Sequence, residues 1–409
     1  MHRLSPSARA DNPRTVRPLV LLSVALALSG CSLFGGPFQG KEKKAVAERQ
    51  EPPKPTALAP VATHRFQIDP AGDDVVGLMQ STIASKEDTL PDIARRFDIG
   101  YEEIVRANPG VDPWLPGEGR AIVLPTRFIL PNAPREGIVI NIPAMRLFYY
   151  PAHQKDEPAE VITYPIGIGR VGWQTPEGQT KIVKRTLDPV WTVPVSIRKE
   201  HAENGDDLPP VVGPGPDNPL GKHSFTLQWQ GYLVHGTNKP YGVGMRSSHG
   251  CIRLYPEDIE QLFDTVPLGT KLRVVNQPVL FGRNGDSDVL VQAYGALEDD
   301  KRDWSGNARK LMEKSIPEST RKAIKDQQLS IDWDRVHGLL AAPRGVPVSI
   351  ISTDASLDGE LLAARKVQNA VPEGSNWDGK VEVDEAKFEQ LLSESEPATT
   401  ATAADGTAR

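Results

Sequence analysis

The chain has 409 residues, which is enough for roughly two or three domains of about 100–200 residues each. Charged residues make up 24 % and the formal net charge is −6, which excludes a dedicated basic nucleic-acid binder. Two cysteines are too few for a disulfide framework or a four-cysteine zinc site.

Residues 1–30 are predicted to be a signal peptide. Arginines precede an eleven-residue, mostly apolar stretch from Pro18 to Leu28, which is too short to span a bilayer comfortably. The following LSGC sequence resembles the lipobox of bacterial lipoproteins, which implies that Cys31 becomes a lipidated N-terminus. By the same analogy, Ser32 implies sorting to the outer membrane of a Gram-negative bacterium. We therefore expect a lipid-anchored periplasmic protein; an ordinary signal peptide with an incidental cysteine is the alternative.

Residues 31–74 are predicted to be a tether. The segment contains several prolines, a charge run at 41–44 and few of the large apolar residues that a core needs.

A small module is predicted at 75–126. Its first helix carries the i, i+3, i+4, i+7 apolar spacing of an amphipathic helix, at Leu90, Ile93, Ala94 and Phe97.

A strand near 81–83, a second short helix ending at the turn 108–110 and a strand at 121–125 complete the module. This strand–helix–helix–strand order resembles a LysM domain, carried by DTLPDIARRFDIGYEEIVRANPGVDPWLPGEGRAIVLP. The resemblance implies binding to N-acetylglucosamine-containing glycans such as peptidoglycan. Glu87 stands where the family usually has glycine, so a packing module without a ligand is the alternative.

Residues 137–277 contain many short strands separated by glycine and proline, which predicts a mostly β sandwich or barrel with short helices. One helix is predicted after Pro256, because proline and acidic residues favour the first helical turn. Residues 278–392 are predicted to be an α/β accessory region, with helices at 304–327, 332–342 and 385–392 and a strand at 346–352. The tail 393–409 is predicted to be disordered.

His235 and Cys251 are 16 residues apart, and the glycines between them allow the loop to fold back. A thiol needs a neighbouring base or cation to react at neutral pH, and a histidine within hydrogen-bonding reach provides one. Gly250 has no side chain to cover the backbone, so the amide groups there are able to face a developing oxyanion. Arg253 is suited to a bidentate grip on a substrate carboxylate.

Other roles are open for the same residues. A single cysteine among apolar neighbours is often a small buried hydrophobe, and a single histidine is often structural. His235, His249 and Cys251 are also acceptable zinc ligands, although no fourth ligand is spaced to match them. The residue types alone leave a nucleophile, a zinc site and a structural role open.

The segment HGTNKPYGVGMRSSHGCIRL, with PGPDNPLGKHSFTL upstream, resembles the active-site region of L,D-transpeptidases with a YkuD-type catalytic domain. The resemblance implies that Cys251 is the nucleophile and His235 its base. It further implies that His249 supports the geometry, that Gly250 and Cys251 supply oxyanion-hole amides, and that Ser248 orients a histidine.

Substrate-binding residues are also predicted. The resemblance implies that Arg253 aligns the peptide, and we place Gly236 beside it. Asn218, Tyr241 and Trp191 are predicted to line the groove, although each is also a plausible turn or core residue.

The implied reaction is a two-step acyl transfer on peptidoglycan. Cys251 attacks the bond between diaminopimelate and the terminal D-alanine of a tetrapeptide stem, D-alanine leaves, and an amine resolves the thioester. The amine belongs to a second stem, which gives a 3→3 cross-link, or to an outer-membrane lipoprotein. No cofactor, metal or nucleic acid is expected. The alternatives are an L,D-carboxypeptidase and a non-catalytic wall-binding tether with a relict transferase domain.

Overall fold

The computed structural model describes part of the chain. The described ranges are 58–60, 63–68, 72–154, 157–285, 287–304, 308–351 and 356–382. The chain divides into two compact units, Met1–Pro55 and Thr56–Arg409, and every described residue belongs to the second. The predicted signal, Cys31, most of the tether, the helix at 385–392 and the tail lie outside the described ranges.

Strands dominate the described part. In chain order they are β1 (Arg65–Ile68), β2 (Val75–Gly77), β3 (Gln80–Ile83), β4 (Ala121–Leu124), β5 (Arg127–Ile129), β6 (Gly137–Asn141), β7 (Arg146–Tyr150), β8 (Ala159–Pro165), β9 (Ile168–Gly169), β10 (Gly178–Leu187), β11 (Trp191–Thr192), β12 (Val211–Val212), β13 (His223–Leu227), β14 (Leu233–His235), β15 (Arg246–Ser248), β16 (Ile252–Arg253), β17 (Lys271–Val275), β18 (Val279–Arg283), β19 (Val289–Ala293), β20 (Val348–Ser349) and β21 (Arg365–Lys366).

The helices are short. They are α1 (Leu90–Arg96), α2 (Tyr101–Ala107), α3 (Val195–Glu203), α4 (Pro256–Thr265), α5 (Ala308–Ser315), α6 (Glu318–Asp326), α7 (Trp333–Ala341) and α8 (Leu357–Leu362). Within the described ranges, we find no helix with the length and apolar character needed to cross a membrane.

The main sheet has nine strands in the order β1-β8-β7-β6-β17-β10-β13-β14-β16. Most neighbours are antiparallel, but β6 pairs with β17 and β14 with β16 in parallel. A register shift near Ile182 divides β10, so that its first part pairs with β17 and its second with β13. The predicted mostly β catalytic region is thereby confirmed.

Strands β6, β7 and β8 are buried on both faces. One face joins the large core that also contains Ile259 and Leu262 of α4. The opposite face packs against Val76 and Phe128. Burial on both sides explains why the apolar and polar residues of β6 alternate only weakly.

The tether prediction was too long at its C-terminal end. Residues 65–68 form β1, which pairs with β8 at the edge of the main sheet. Phe66 and Ile68 pack on the apolar cluster beneath β7. A four-residue strand is too short for its alternation to stand out in a proline-rich stretch.

The small module has the predicted element order β3-α1-α2-β4, and β3 pairs antiparallel with β4. Thr89 caps α1, where its side chain and that of Asp92 bond reciprocally to the backbone. The predicted apolar stripe is fully buried. The assignment of this module to the LysM family stays a prediction.

The module boundaries differ from the predicted 75–126. Strand β2 pairs with β5 instead of joining β3 and β4. Ile129 of β5 packs against Leu280 and Leu290 of the C-terminal sheet. The ribbon β2–β5 therefore belongs with the packing between the main sheet and the C-terminal region.

The C-terminal region does not form one separate accessory domain. Strands β18, β19 and β20 form a sheet that α5, α6 and α7 cover. Further on, β21 adds to β3 in parallel, and Val367 enters the core of the module. Sequence reasoning missed this because parallel strand addition depends on residues nearly 290 positions apart.

A buried polar network joins the module to the catalytic region. Arg146 of β7 is fully buried and donates to both carboxylate oxygens of Glu103 and to the Asp98 carbonyl. Both carboxyl oxygens of Asp98 and Oδ2 of Asp258 are buried without a hydrogen-bond partner among the described residues. Negative charge on Asp98 also disfavours negative charge on Asp258. Burial raises the pKa of Asp98 to about 7, against the charge of Arg146, and raises the pKa of Asp258 well above its ordinary value.

We predict that the Asp98–Asp258 pair makes stability fall as the pH rises. The unfolded chain releases these protons near pH 4, at about the ordinary pKa of aspartate. Folded Asp98 keeps its proton to about pH 7, and folded Asp258 also keeps its proton above its ordinary pKa, so above about pH 4 the folded state binds more protons and its stability declines with pH. Asp258→Asn should flatten the decline, because its amide donates without titrating. Urea unfolding at about pH 5 and about pH 8 measures this; an equal decline in both proteins contradicts it.

Candidate active site

Parallel pairing of β14 and β16 sets the strand of the predicted base beside the strand that follows the predicted nucleophile. Val234 lies opposite Ile252 and His235 opposite Arg253. Val234 and Ile252 point into the large core. Because side chains alternate along a strand, His235 and Arg253 project from the opposite face. Cys251 directly precedes β16.

Cys251 is half-buried and is not in a disulfide. Its thiol donates to the carbonyl of Gly231, with 3.8 Å between Sγ and O. Burial raises the pKa of the Cys251 thiol above its ordinary value, against the opposing effects of the Leu233 backbone and the Arg253 charge. The free thiol is therefore protonated at neutral pH.

His235 is buried, and its Nδ1 lies 2.6 Å from the carbonyl oxygen of Gly236. A carbonyl only accepts hydrogen bonds, so Nδ1 carries the proton and Nε2 is left as the acceptor. Burial lowers the pKa of His235 to about 3, the Arg253 charge adds to this, and the Gly236 carbonyl opposes it. The imidazole is thus neutral and able to act as a base.

Gly236 has a positioning role in the structure, and its predicted contact with substrate stays a prediction. Its carbonyl sets the tautomer of His235, and its amide donates to the His223 carbonyl. A Cβ there would lie 3.1 Å from Cγ2 of Ile259. The close approach of α4 explains the need for glycine.

Gly250 precedes the nucleophile with φ +99°, which favours glycine. A Cβ at this position would lie 2.9 Å from the Tyr232 ring. Its amide already donates to Ser248 Oγ, so the structure differs from the predicted oxyanion amide at Gly250. The Ser248 hydroxyl in turn donates to the Cys251 carbonyl at 2.6 Å, so it shapes the nucleophile loop instead of orienting a histidine.

Thr175 completes this loop and was missed by sequence reasoning. Its buried hydroxyl donates to the Gly250 carbonyl at 3.0 Å and accepts from the Gly169 amide at 3.1 Å. It lies far from the Ser-His-Gly-Cys motif in sequence. A single threonine in a loop carries no local signal for such a role.

His249 faces α3, where its Nε2 lies 3.2 Å from a carboxylate oxygen of Glu200. Arg170 contacts the same imidazole and forms an ion pair with Glu200, and the Trp173 ring packs edge-on against His249. Burial lowers the pKa of His249 and Arg170 adds to this, whereas Glu200 raises it. Sequence reasoning missed these three partners, which come from two other segments.

The guanidinium of Arg253 is able to donate further hydrogen bonds. Its Nη1 donates to Ser247 Oγ at 3.2 Å. Its Nε is buried and has no partner among the described residues. A guanidinium held in this way is suited to an anionic group such as a carboxylate.

The three predicted groove residues are placed differently. Asn218 is fully buried, its side-chain amide donates to the carbonyls of Pro189 and Gly213, and its Oδ1 accepts from the Leu220 amide, so it supports a turn beneath the surface. This corrects the prediction for Asn218.

Tyr241 is buried in an apolar cluster with Tyr101 and Met245, which also differs from an open groove position. Trp191 lies half-buried on the β11–β12 ribbon, and its contact with substrate stays a prediction. Among the described residues, no group of three or more His, Cys, Asp or Glu side chains is arranged to hold a metal ion.

Comparison with known proteins gives consistent results. The family model described as the L,D-transpeptidase catalytic domain (YkuD) matches residues 135–275. A probable L,D-transpeptidase of Salmonella typhimurium, ErfK/SrfK, is 36 % identical over 288 residues, covering 70 % of this chain and 90 % of the relative. The Escherichia coli protein YcfS, also named a probable L,D-transpeptidase, is 39 % identical over 249 residues, covering 59 % and 77 %. YbiS of Escherichia coli, named likewise, is 35 % identical over 283 residues, covering 68 % and 88 %.

We predict that the Thr175 hydroxyl is needed to hold the nucleophile loop. Thr175→Val keeps the shape but leaves two backbone groups unpaired, and a buried unpaired group costs about 1–3 kcal/mol. We expect Thr175→Val to lower turnover and the free energy of unfolding. Thr175→Ser keeps the hydroxyl and is the matched control. Equal turnover in the two variants contradicts the prediction.

Proposed function

The chain belongs to the L,D-transpeptidase family, and from this premise we propose how its own residues carry out the acyl transfer. Cys251 forms a thioester with a peptidoglycan stem and passes the acyl group to an amine. The observation that supports this most directly is the β14–β16 pairing, in which His235 lies opposite Arg253, two residues after Cys251.

In the first step, Sγ of Cys251 attacks the carbonyl carbon between the L-centre of diaminopimelate and D-alanine. His235 Nε2 takes the thiol proton as the C–S bond forms, because the thiol and the imidazole are both neutral at rest. The tetrahedral intermediate collapses, the C–N bond breaks, and the imidazolium gives its proton to the departing amine of D-alanine. The product is a thioester and free D-alanine.

In the second step, an acceptor amine attacks the thioester carbonyl. His235 takes a proton from the amine, and the C–S bond breaks to return the Cys251 sulfur, which regains a proton. An amide replaces an amide, so the bond energy is conserved and no nucleotide is needed. The oxyanion is proposed to form at the Cys251 amide, since the Gly250 amide is engaged by Ser248.

Arg253 is proposed to hold the carboxylate of the stem. Its buried charge with an unpartnered Nε supports this role, because a carboxylate would satisfy it. His249, restrained by Glu200 and Arg170, is proposed to support the geometry beside the nucleophile. The β3-α1-α2-β4 module is proposed to bind wall glycan, which raises the local concentration of stems.

We predict that the purified soluble form, lacking residues 1–31, releases D-alanine from disaccharide-tetrapeptide. Mass spectrometry identifies the acceptor. A 3→3 dimer identifies a second stem, a product formed only with a lysine-ending lipoprotein peptide identifies a ligase, and D-alanine without either identifies a carboxypeptidase. Cys251→Ala should abolish release, and His235→Gln should lower it by about 100-fold or more. The absence of turnover with retained wall binding would favour the non-catalytic tether.

We also propose that Cys31 anchors the protein by lipid to the outer membrane of a Gram-negative bacterium, on the support of the LSGC sequence. Cys31→Ser should then move the protein from the membrane fraction to the soluble periplasmic fraction. Cys251→Ser, the matched control at the other cysteine, should stay with the membrane. Fractionation followed by immunoblotting decides, and an unchanged distribution of Cys31→Ser contradicts the anchor.

A further inference from the structure

We propose that the β3-α1-α2-β4 module is a positioning element of the active site. It holds segment 240–247, and through this segment it holds the guanidinium of Arg253 beside Cys251. The inference rests on the proposed function, because it adds a part to the same site.

Segment 240–247 lies between His235 and Cys251 in the chain and contacts the start of α2. The carbonyls of Val243 and Gly244 accept hydrogen bonds from the amides of Tyr101 and Glu102, each at 3.1 Å. These amides belong to the first turn of α2, where no partner exists within the helix. The module and the active-site segment therefore satisfy each other's backbone groups.

Two glycines make this contact close. A Cβ on Gly244 would lie 2.3 Å from the Tyr101 nitrogen and 2.4 Å from the Gly100 Cα, and Gly244 has φ +81°. A Cβ on Gly100 would lie 2.8 Å from the Gly244 Cα. On either side of Gly244, Tyr241 and Met245 pack with Tyr101. A larger residue at 244 would have to push the segment away from the module.

The other side of the same segment contacts Arg253. A Cβ on Gly242 would lie 2.6 Å from Nη1 of Arg253, and Ser247 Oγ accepts from that nitrogen at 3.2 Å. Tyr241 also interacts electrostatically with the guanidinium. The segment thus contacts the module on one side and Arg253 on the other. A displacement of the backbone at Gly244 should therefore also displace the guanidinium of Arg253.

The module itself is held firmly by the catalytic region. Arg95 of α1 forms a two-pronged ion pair with Glu257 of α4, with both distances 2.8 Å. The Tyr255 hydroxyl donates to the Ile99 carbonyl at 3.0 Å. Glu103 accepts from the Gly100 amide while it pairs with the buried Arg146. These contacts give the segment a rigid support.

Displacement of Arg253 should be visible at the Cys251 thiol. Arg253 is the charge that acts on this thiol, and it favours the thiolate, as the Leu233 backbone also does. If Arg253 moves away, the thiol becomes less acidic. The pH dependence of Cys251 alkylation by iodoacetamide reports this without any wall substrate.

The test uses Gly244→Ala in the soluble protein lacking residues 1–31, with Gly269→Ala as the matched control. Gly269 also has a positive φ, +85°, but a Cβ there meets nothing within 4 Å, and it lies outside the module between α4 and β17. We expect Gly244→Ala to lower kcat/KM for D-alanine release about 10- to 100-fold, as a misplacement of about 1 Å does. We also expect its alkylation profile to move to higher pH. Gly269→Ala should match the wild type in both.

A folded Gly244→Ala protein with the wild-type alkylation profile and turnover overturns the inference. If Gly244→Ala does not fold, Tyr101→Ala decides, because it removes the ring that packs on Tyr241 and Met245 but keeps the backbone amides. It should shift both readouts in the same direction, and wild-type values for it overturn the inference. A wild-type protein without turnover whose alkylation profile still responds to Gly244→Ala contradicts the proposed function alone.

Discussion

The parallel pairing of β14 with β16 is the constraint on which the active site depends. Parallel neighbours cannot be joined by a tight turn, so the chain must make an excursion between them. Residues 236–251 form this excursion. It brings Cys251 to the start of β16, beside the strand that ends at His235, and on its way it contacts the module and supplies the Ser247 partner of Arg253. One strand pairing therefore brings the predicted catalytic residues and their supports into one region.

Burial then sets the charge state of that pair. It raises the pKa of the Cys251 thiol and lowers the pKa of the His235 imidazole, so both groups are neutral in the resting enzyme. The proposed attack of Cys251 therefore includes transfer of its proton to His235. The charge of Arg253 opposes burial at the thiol, so the residue proposed to hold the substrate carboxylate also favours the thiolate.

The elements with strong local patterns were predictable from sequence. The apolar stripe of α1 and the proline and acids that begin α4 appear close to their expected positions. Helix α3 and the β18–β19 hairpin were not predicted. Helix α3 has a weak apolar periodicity, with Ile197 its one buried residue, and a hairpin buried on both sides lacks the alternation that marks a strand.

The sequence by itself determined the chemical identity of the site, because the Ser-His-Gly-Cys motif and a distant histidine carry their chemistry in residue type and spacing. Only the tertiary structure decided which of the residues in this region support the loops around the predicted catalytic residues. Asn218 supports a turn, Gly236 fixes the tautomer of His235, and Thr175 bonds to the nucleophile loop. These roles depend on hydrogen-bond partners that the local sequence pattern does not show. Hydrogen-bond partners and the close approach of two backbones are set by folding in three dimensions, and local sequence does not encode them.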